Sequence, residues 1–218
     1  MNILLGITGS VAAIKTIELH SELSKLGDVK VVATKSALNI VEQIRDQDTR
    51  CQLIDNLPIS QGKKLTFWGG GIDILTDEQE WLWMDIGDPV LHIELKDWAN
   101  VFVIAPLTAN TLAKMANGIC DNLLTCIYRA YPITKPIIVA PAMNTDMWEH
   151  PITTEQLNVL WERHFYRHYD KAYNYNEVRR HNFTIVYPVS KKLACGTVGM
   201  GAMAGVKDIA EMVKACLK

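Results

Sequence analysis

The chain has 218 residues, of which 49% are hydrophobic and 21% charged, with a formal net charge of −2. This balance is that of a globular protein and gives no electrostatic footprint for nucleic acid. The longest apolar runs are too short to cross a membrane, and the N-terminus shows no signal-peptide pattern. Five cysteines without a CxxC pair or zinc-ligand spacing favour free thiols, no metal site and a cytoplasmic location.

Short apolar runs alternate with helical stretches along the chain. Strands buried on both faces are predicted at Asn2–Ile7, Val29–Ala33, Val101–Ala105, Ile137–Ala140 and Thr184–Tyr187. Helices are predicted at Val11–Leu26 with Gly27 as its stop, from Pro89 to Trp98 with Asp88 as N-cap, and at Thr108–Asn117, Asp121–Tyr131 and Val206–Leu217. This alternation predicts a single α/β domain over residues 1–218, built on a doubly wound parallel sheet.

Two stretches do not follow this alternation. Residues Gln47–Asp85 contain WGGG and the acidic run DEQEWLWMD, and they predict an extra short strand or a loop. Residues His164–Asn182 are polar, basic and rich in tyrosine. Aromatic residues interleaved with arginine also occur in nucleic-acid binding proteins, but one short patch on a neutral chain favours a solvated insertion.

Small and polar residues follow three of the predicted strands, at Gly6–Ala13, Thr34–Ser36 and Ala105–Thr111. The first of these loops lacks the GxGxxG dinucleotide pattern. All three are expected at the carboxyl edge of the sheet, where open α/β sheets bind ligands and helix N-termini attract anions. Their convergence predicts a ligand that carries a phosphate.

Three further features allow both a structural and a chemical interpretation. Asn144 follows a buried strand and is suited either to binding a carboxylate or amide or to capping the next helix. His92 has apolar neighbours, as a core histidine does, and it is also a natural acid or base. The glycine-rich segment Leu193–Gly205 is either a flexible connector or a mobile flap that carries Cys195.

Together these segments resemble the homo-oligomeric, flavin-containing cysteine decarboxylases, on the branch that acts on phosphopantothenoylcysteine. The resemblance rests on five motifs in the family's order: GITGSVAAIK, DPVLHIELKDWA, IAPLTANTLAKMANGICDNLLTC, PAMNTDMWEHPIT and ACGTVGMGAMA. It implies a Rossmann-like, flavodoxin-type fold and FMN bound between the subunits of a homotrimer or a multiple of trimers. It also implies FMN-dependent decarboxylation of 4′-phosphopantothenoylcysteine to 4′-phosphopantetheine in coenzyme A biosynthesis.

The resemblance also implies roles for single residues. His92 would assist oxidation of the substrate thiol, and Cys195 would protonate the intermediate during reduction. Asn144, with Met143 and Ala194, would bind the substrate and hold its carboxylate. FMN would be held by Gly9, Ser10, Val11, Thr34, Ser36, Ile40, Thr108, Ala109, Asn110, Thr111 and Ala142. A flap over residues 193–205 would shield the intermediate from water.

This chain departs from the family pattern at two flap positions. Thr197 and Gly205 stand where an aspartate and a glutamate are usual. The alternatives are a non-catalytic FMN-binding regulatory homologue that inhibits a protein phosphatase, a flavin prenyltransferase and an FMN-binding electron carrier. The regulatory homologue carries a long acidic tail that this chain lacks, and a flavin prenyltransferase needs neither the PAMN element nor the flap cysteine. The full set of motifs disfavours a simple electron carrier.

Overall fold

The computed structural model describes residues 1–43, 52–54, 63–67, 70–169, 182–193 and 196–216. These residues form ten strands, which are β1 (Asn2–Ile7), β2 (Asp28–Ala33), β3 (Gln52–Ile54), β4 (Lys63–Phe67), β5 (Gly70–Leu75), β6 (Val101–Leu107), β7 (Ile137–Pro141), β8 (Phe183–Ile185), β9 (Val189–Lys192) and β10 (Val198–Ala202). A short 3-10 helix, Val11–Lys15, follows β1. The α-helices are α1 (Thr16–Ser24), α2 (Lys35–Gln43), α3 (Asp77–Glu80), α4 (Leu91–Trp98), α5 (Ala109–Asn117), α6 (Leu123–Ala130), α7 (Thr145–Glu149), α8 (Pro151–Tyr169) and α9 (Val206–Ala215).

The main sheet has the strand order β3-β4-β5-β2-β1-β6-β7-β8, and β9 pairs with β10 in a separate hairpin. The strands from β5 to β8 in this order are all parallel to their neighbours, whereas β3 and β4 are antiparallel additions at one edge. Strand order therefore reverses direction between β1 and β6, which is the topological switch point of a doubly wound sheet. The predicted fold class is confirmed.

Successive side chains of the buried strands point to opposite faces of the sheet, and they contribute to two hydrophobic layers. In β1, Ile3, Leu5 and Ile7 join one apolar cluster with residues of α1, α2 and α9, and Leu4 joins the other with residues of α4, α5 and α6. All four side chains have 0% exposure, because each strand is covered on both faces. Each contributes about 1.5–3 kcal/mol relative to an exposed side chain.

Some predicted helix ends are confirmed and others are wrong. Thr108 is the N-cap of α5, and its hydroxyl accepts a hydrogen bond from the Thr111 N–H. The prediction that Asp88 caps a helix starting at Pro89 is wrong, because α4 begins at Leu91. The Asp88 carboxylate instead accepts hydrogen bonds from the N–H groups of Met84 and Asp85, so it closes the preceding turn.

The remaining predicted helices are shorter than expected. The first divides into the 3-10 helix and α1, which ends at Ser24 rather than Leu26. Gly27 is not the helix stop that was predicted. It allows the chain to pass close to Met1, because a Cβ there would lie 2.1 Å from the Met1 carbonyl oxygen. Helix α6 begins at Leu123 after an Asn122 cap, and α9 ends at Ala215.

The two irregular stretches of sequence contain more structure than predicted. The first holds β3, β4, β5 and α3. The start of the predicted 164–182 insertion belongs to α8, where His164 is buried and stacks on Phe183 with ring centroids 5.1 Å apart; residues 170–181 lie outside the described residues. Among the described helices, none is long and apolar enough to span a bilayer. Within the same residues, no group of three or more His, Cys, Asp or Glu side chains is placed to hold a metal ion.

Candidate active site

The loops after β1 and β6 meet at the carboxyl edge of the sheet, and one buried threonine joins them. The Thr8 hydroxyl donates a hydrogen bond to the Pro106 carbonyl at 2.7 Å and accepts one from the Thr108 N–H at 2.9 Å. Thr8 has 0% exposure. Sequence reasoning missed this residue, because a threonine inside a small-residue turn looks like any other turn residue. It fixes the two loops on either side of the switch point relative to each other.

The loop after β1 also contacts the loop after β2. A Cβ on Gly9 would lie 2.6 Å from Ser36 Cβ and 2.8 Å from Ser36 Oγ, so only glycine allows this approach. Ser36 is in the first turn of α2, and Ile40 follows one turn later on the same helical face. The Thr34 and Ser36 hydroxyls are 3.4 Å apart. The structure thus brings together the predicted cofactor residues of the first two loops.

The third predicted loop forms the N-terminus of α5. Thr108 caps the helix, Ala109 and Asn110 are its first two residues, and Thr111 is buried in its first turn. The Thr108 hydroxyl also donates a hydrogen bond to the Thr111 hydroxyl at 3.3 Å. A helix N-terminus presents N–H groups and the positive end of its dipole, so this loop suits an anionic group.

Asn144 has the capping role that was one of its two interpretations. Its Oδ1 accepts a hydrogen bond from the Asp146 N–H at 2.8 Å, which starts α7. Ala142, two residues earlier, is buried and its N–H donates to the Leu107 carbonyl, so the loop continues the alignment of β6 and β7. Capping fixes the Asn144 side chain in place, and this fixed amide lines a cleft.

The segment predicted as a flap contains β10, the second strand of the β9–β10 hairpin. This strand packs directly on the Asn144 loop. The Met143 N–H donates to the Gly201 carbonyl at 3.0 Å. A Cβ on Gly201 would lie 2.3 Å from the Met143 carbonyl oxygen, and one on Gly199 would lie 2.3 Å from Thr145 Oγ1. At these two positions the missing side chains permit close packing of the hairpin on the loop.

The hairpin tip lies beyond this contact. Gly196 has a φ of +89°, and no neighbouring atom lies within 4 Å of a Cβ built there. The Leu193 N–H donates to the Thr197 carbonyl, and the Gly196 N–H donates to the Leu193 carbonyl, so the backbone turns tightly. The predicted site residues Ala194 and Cys195 lie outside the described residues.

A cleft of about 400 Å³ opens between the start of the 3-10 helix, the Asn144 loop and the hairpin. Its volume lies in the range usual for small-molecule sites. It is lined by Ser10, Val11, Ala12, Ile14, Lys15, Ala142, Met143, Asn144, Lys191, Lys192, Leu193, Gly201, Ala202 and Met203. Three lysines surround predicted substrate and cofactor residues here, so the cleft favours an anionic ligand.

His92 lies elsewhere at the same edge of the sheet. The chain leaves β5 at the carboxyl edge and enters β6 at the amino edge, so α4 runs antiparallel to the strands and begins at the carboxyl edge. His92 is the second residue of α4, with its side chain 25% exposed. It is not among the described residues that line the 400 Å³ cleft. Within the described residues, His92 and Asn144 therefore do not line the same cleft.

His92 is held by a carboxylate that the sequence did not reveal. Its Nδ1 contacts Glu80 Oε1, and its backbone N–H donates to Glu80 Oε2 at 3.0 Å. Glu80 ends α3 and its side chain is only 7% exposed. The same short helix also caps α6, because Asp77 Oδ1 accepts a hydrogen bond from the Leu123 N–H at 2.8 Å. Burial raises the pKa of the Asp77 carboxyl above its ordinary value.

A thiol lies near this acidic helix. The Cys126 Sγ–H donates to the Cys120 carbonyl at 3.4 Å. Burial, followed by the effect of Cys120, raises the pKa of the Cys126 thiol to about 11. The raised pKa disfavours the thiolate, which is the reactive form of cysteine.

Comparison with known proteins places the chain in a family. The Flavoprotein family matches residues 1–167. A protein of Arabidopsis thaliana named probable phosphopantothenoylcysteine decarboxylase is 45% identical over 203 residues, covering 93% of this chain and 81% of the relative. The phosphopantothenoylcysteine decarboxylase of Mus musculus is 40% identical over 218 residues, covering 99% and 86%. The chain belongs to the Flavoprotein family, which confirms the resemblance seen in the motifs.

Solved structures agree with this assignment. A cysteine-to-serine mutant of a PPC decarboxylase, complexed with pantothenoylaminoethenethiol, is similar with a TM-score of 0.74 and 41% identity over 98% of this chain and 96% of that one. The FMN binding protein AtHal3 is similar with a TM-score of 0.70 and 42% identity, over 98% and 95% of the two chains.

Proposed function

We propose that this protein binds FMN and decarboxylates 4′-phosphopantothenoylcysteine to 4′-phosphopantetheine, a step of coenzyme A biosynthesis. The observation that carries the proposal is the cleft in which the loop after β1, the Asn144 loop and the hairpin meet. The names of similar proteins, phosphopantothenoylcysteine decarboxylase and FMN binding protein, support the same activity and cofactor.

The residues at the carboxyl edge fit FMN. The hydroxyls of Ser10 and Ser36 and the N-terminus of α5 offer donors to a phosphate, and Val11 and Ala142 offer apolar contact to a ring system. Gly9 has no side chain where it approaches Ser36, so no bulky group lies between these two loops. We assign cofactor contacts to these residues together with Thr34, Ile40, Thr108, Ala109, Asn110 and Thr111.

The chemistry requires orientation and proton transfer from the protein. Bound FMN would supply two-electron redox chemistry: conversion of the substrate CH₂–SH to C=S would provide an acceptor for the electrons left by CO₂ loss, and the same two electrons would afterwards be returned. Asn144 holds the carboxylate that leaves, with Met143 and Ala194 beside it. The cleft lysines attract the anionic substrate. Cys195 supplies the proton that completes the product, and His92 takes the proton of the substrate thiol.

The first experiment supplies the purified protein with 4′-phosphopantothenoylcysteine and measures CO₂ and 4′-phosphopantetheine. Equal amounts of both products over many turnovers support the proposal. A yellow, FMN-loaded protein that releases no CO₂ contradicts it and favours the regulatory homologue. In that case Thr197 and Gly205, where the flap departs from the family pattern, are the first positions to change.

Changing Asn144 to aspartate tests the carboxylate contact. Aspartate caps helices as well as asparagine does, so α7 is kept. The substitution removes the amide donors and places a negative charge against the substrate carboxylate. We expect kcat/KM to fall about 100-fold, since buried like charges and unpaired groups cost several kcal/mol. Steady-state kinetics measure this loss, with Asn144→Ser as the uncharged capping control; equal kinetics in all three proteins would exclude the contact.

The active protein is a homo-oligomer, a trimer or a multiple of trimers in our proposal, with FMN at the subunit interface. Among the described residues of one chain, His92 does not line the cleft, and this supports a site shared between chains. Residues 81–86, immediately after Glu80, form an apolar patch in which Trp81 is 72% and Met84 87% exposed. Apolar patches of this kind mark interfaces. The odd number of cysteines without CxxC supports a reducing, cytoplasmic setting.

Mixing two inactive variants tests the shared site. We expect His92→Asn and Asn144→Asp chains, co-expressed, to recover activity in about one site in four, because each site takes its two residues from different chains. Kinetics of the mixture, compared with each variant alone, measure the recovery. Sedimentation of the wild type should give a mass of at least three chains. A mixture no more active than its components would place both residues of a site in one chain.

A further inference from the structure

We infer that Glu80 is a positioning residue that fixes the ring orientation and the tautomer of His92. The role of this pair in catalysis rests on the proposed function, whereas the pairing itself rests on the geometry of α3 and α4.

Two contacts from one carboxylate define the pairing. Oε1 of Glu80 contacts Nδ1 of His92, and Oε2 accepts the His92 backbone N–H at 3.0 Å. One of these His92 atoms is in the imidazole ring and the other is in the backbone, so the carboxylate restrains both the ring and the main chain. A ring held at one nitrogen and at its own main chain has little freedom to turn.

The backbone contact explains why the pairing is stable. The first N–H groups of a helix have no partner within the helix, and the N-cap of α4 is Val90, whose side chain accepts nothing. Glu80 supplies the missing acceptor from another element. A negative charge at this position is also favoured by the dipole of α4. Helix α3 is itself fixed by a capping box, in which the Thr76 N–H donates to Gln79 Oε1 at 2.7 Å.

The ring contact determines which nitrogen carries the proton. An ionised carboxylate accepts hydrogen bonds and cannot donate them, so Nδ1 must be the protonated nitrogen. Neutral His92 then has its lone pair on Nε2, away from Glu80. This is the tautomer that a base needs when it takes a proton from a substrate thiol. The nearby carboxylate also stabilises the positive charge that the ring acquires in that step.

Glutamine at position 80 tests this arrangement because it keeps the shape and changes the donor pattern. The backbone N–H of His92 can only donate, so it requires the amide oxygen. The amide NH₂ then faces Nδ1, which must offer its lone pair, and the proton moves to Nε2. Glu80→Gln is therefore expected to reverse the tautomer. Aspartate at the same position keeps the carboxylate on a shorter side chain.

The experiment uses ¹⁵N-histidine-labelled, FMN-loaded protein. NMR of the side-chain nitrogens gives the tautomer of His92, whose signals are identified by their absence in His92→Asn. We expect a protonated Nδ1 in the wild type, a protonated Nε2 in Glu80→Gln, and at least partial return to protonated Nδ1 in Glu80→Asp. In parallel, kcat of Glu80→Gln should fall at least about 10-fold, with KM nearly unchanged, because loss of a carboxylate that orients a histidine costs about 10–100-fold at metal ligands and up to about 10⁴-fold at a catalytic base.

Glu78→Gln is the matched control, since Glu78 lies on the same helix and is exposed. Its Oε2 accepts a hydrogen bond from the Thr76 hydroxyl at 2.5 Å, which the glutamine amide oxygen can also accept. It should leave the His92 signals and the kinetics unchanged. A protonated Nδ1 together with wild-type kcat in Glu80→Gln would overturn the inference. If the wild type releases no CO₂ but the tautomer still reverses in Glu80→Gln, the proposed function fails and the pairing stands. Thermal unfolding and FMN content of each variant confirm that the fold is retained, and Glu80→Asp gives the answer if the glutamine variant does not fold.

Discussion

Changing Cys195 to serine is expected to slow the release of 4′-phosphopantetheine about 10²–10⁴-fold, while the first CO₂ at each site still forms rapidly. Carbon dioxide leaves before the intermediate is protonated, so the first half of the reaction needs no acid from the hairpin. A serine hydroxyl is a far weaker acid than a thiol, whose ordinary pKa is about 8.5. Loss of a general acid lowers the rate by about 10²–10⁴-fold, and product release should fall by that factor.

The measurement compares CO₂ with 4′-phosphopantetheine in a single incubation, and mass spectrometry identifies the compound that remains bound. Cys216→Ser is the matched control, because it also exchanges a thiol for a hydroxyl, at the C-terminal end of α9. It should turn over like the wild type. If Cys195→Ser forms both products at the wild-type rate, another group supplies the proton and the hairpin only covers the site.

Changing Gly201 to alanine is expected to reduce kcat/KM about 100-fold. The backbone at Gly201 has a φ of +132°, which alanine rarely adopts, and its Cβ would lie 2.3 Å from the Met143 carbonyl oxygen. The hairpin must therefore separate from the Asn144 loop, and the Met143–Gly201 hydrogen bond is weakened. A displacement of about 1 Å in a site can cost a factor of 10².

Gly87→Ala separates this effect from backbone strain. Gly87 has a φ of +110°, but no atom lies within 4 Å of a Cβ at that position. Strain alone costs about 1–3 kcal/mol of stability, so both variants should lose thermal stability. Only Gly201→Ala should also show the roughly 100-fold lower kcat/KM. Wild-type kinetics in Gly201→Ala would mean that the working protein does not seat the hairpin on the Asn144 loop.

The sequence predicted the parts of the site that depend on strand order. Parallel strands end at one edge, so the loops carrying Ser10, Ser36 and Thr108 were expected to converge. The close approach of Gly9 to Ser36 and the hydrogen bond from Thr108 to Thr8 agree with that expectation. Local patterns were less reliable. Asp88 before Pro89 resembles a helix cap, but the same carboxylate satisfies two N–H groups of the preceding turn, and the sequence does not distinguish the two.

Contacts between separate elements were beyond sequence reasoning. Glu80 and His92 are twelve residues apart across an irregular segment, and no periodicity relates them. One signal was available, because Thr76 followed by Gln79 is the spacing of a capping box and predicts a helix start. The glycines of the hairpin show a second limit. Hinges and close packing both require a missing Cβ, so Gly199 and Gly201 could not be assigned to either without the neighbouring loop.

Thr8 has a consequence for the way this protein meets its ligand. Its hydroxyl uses a donor and an acceptor function within the protein, and both bonds join loops from the two halves of the sheet. The relative position of those loops is consequently established when the chain folds. Ordering a loop's backbone costs about 1–2 kcal/mol per residue, and here that cost falls on folding rather than on association. A ligand entering this edge meets a preorganised wall, and its binding free energy is not reduced by assembling one.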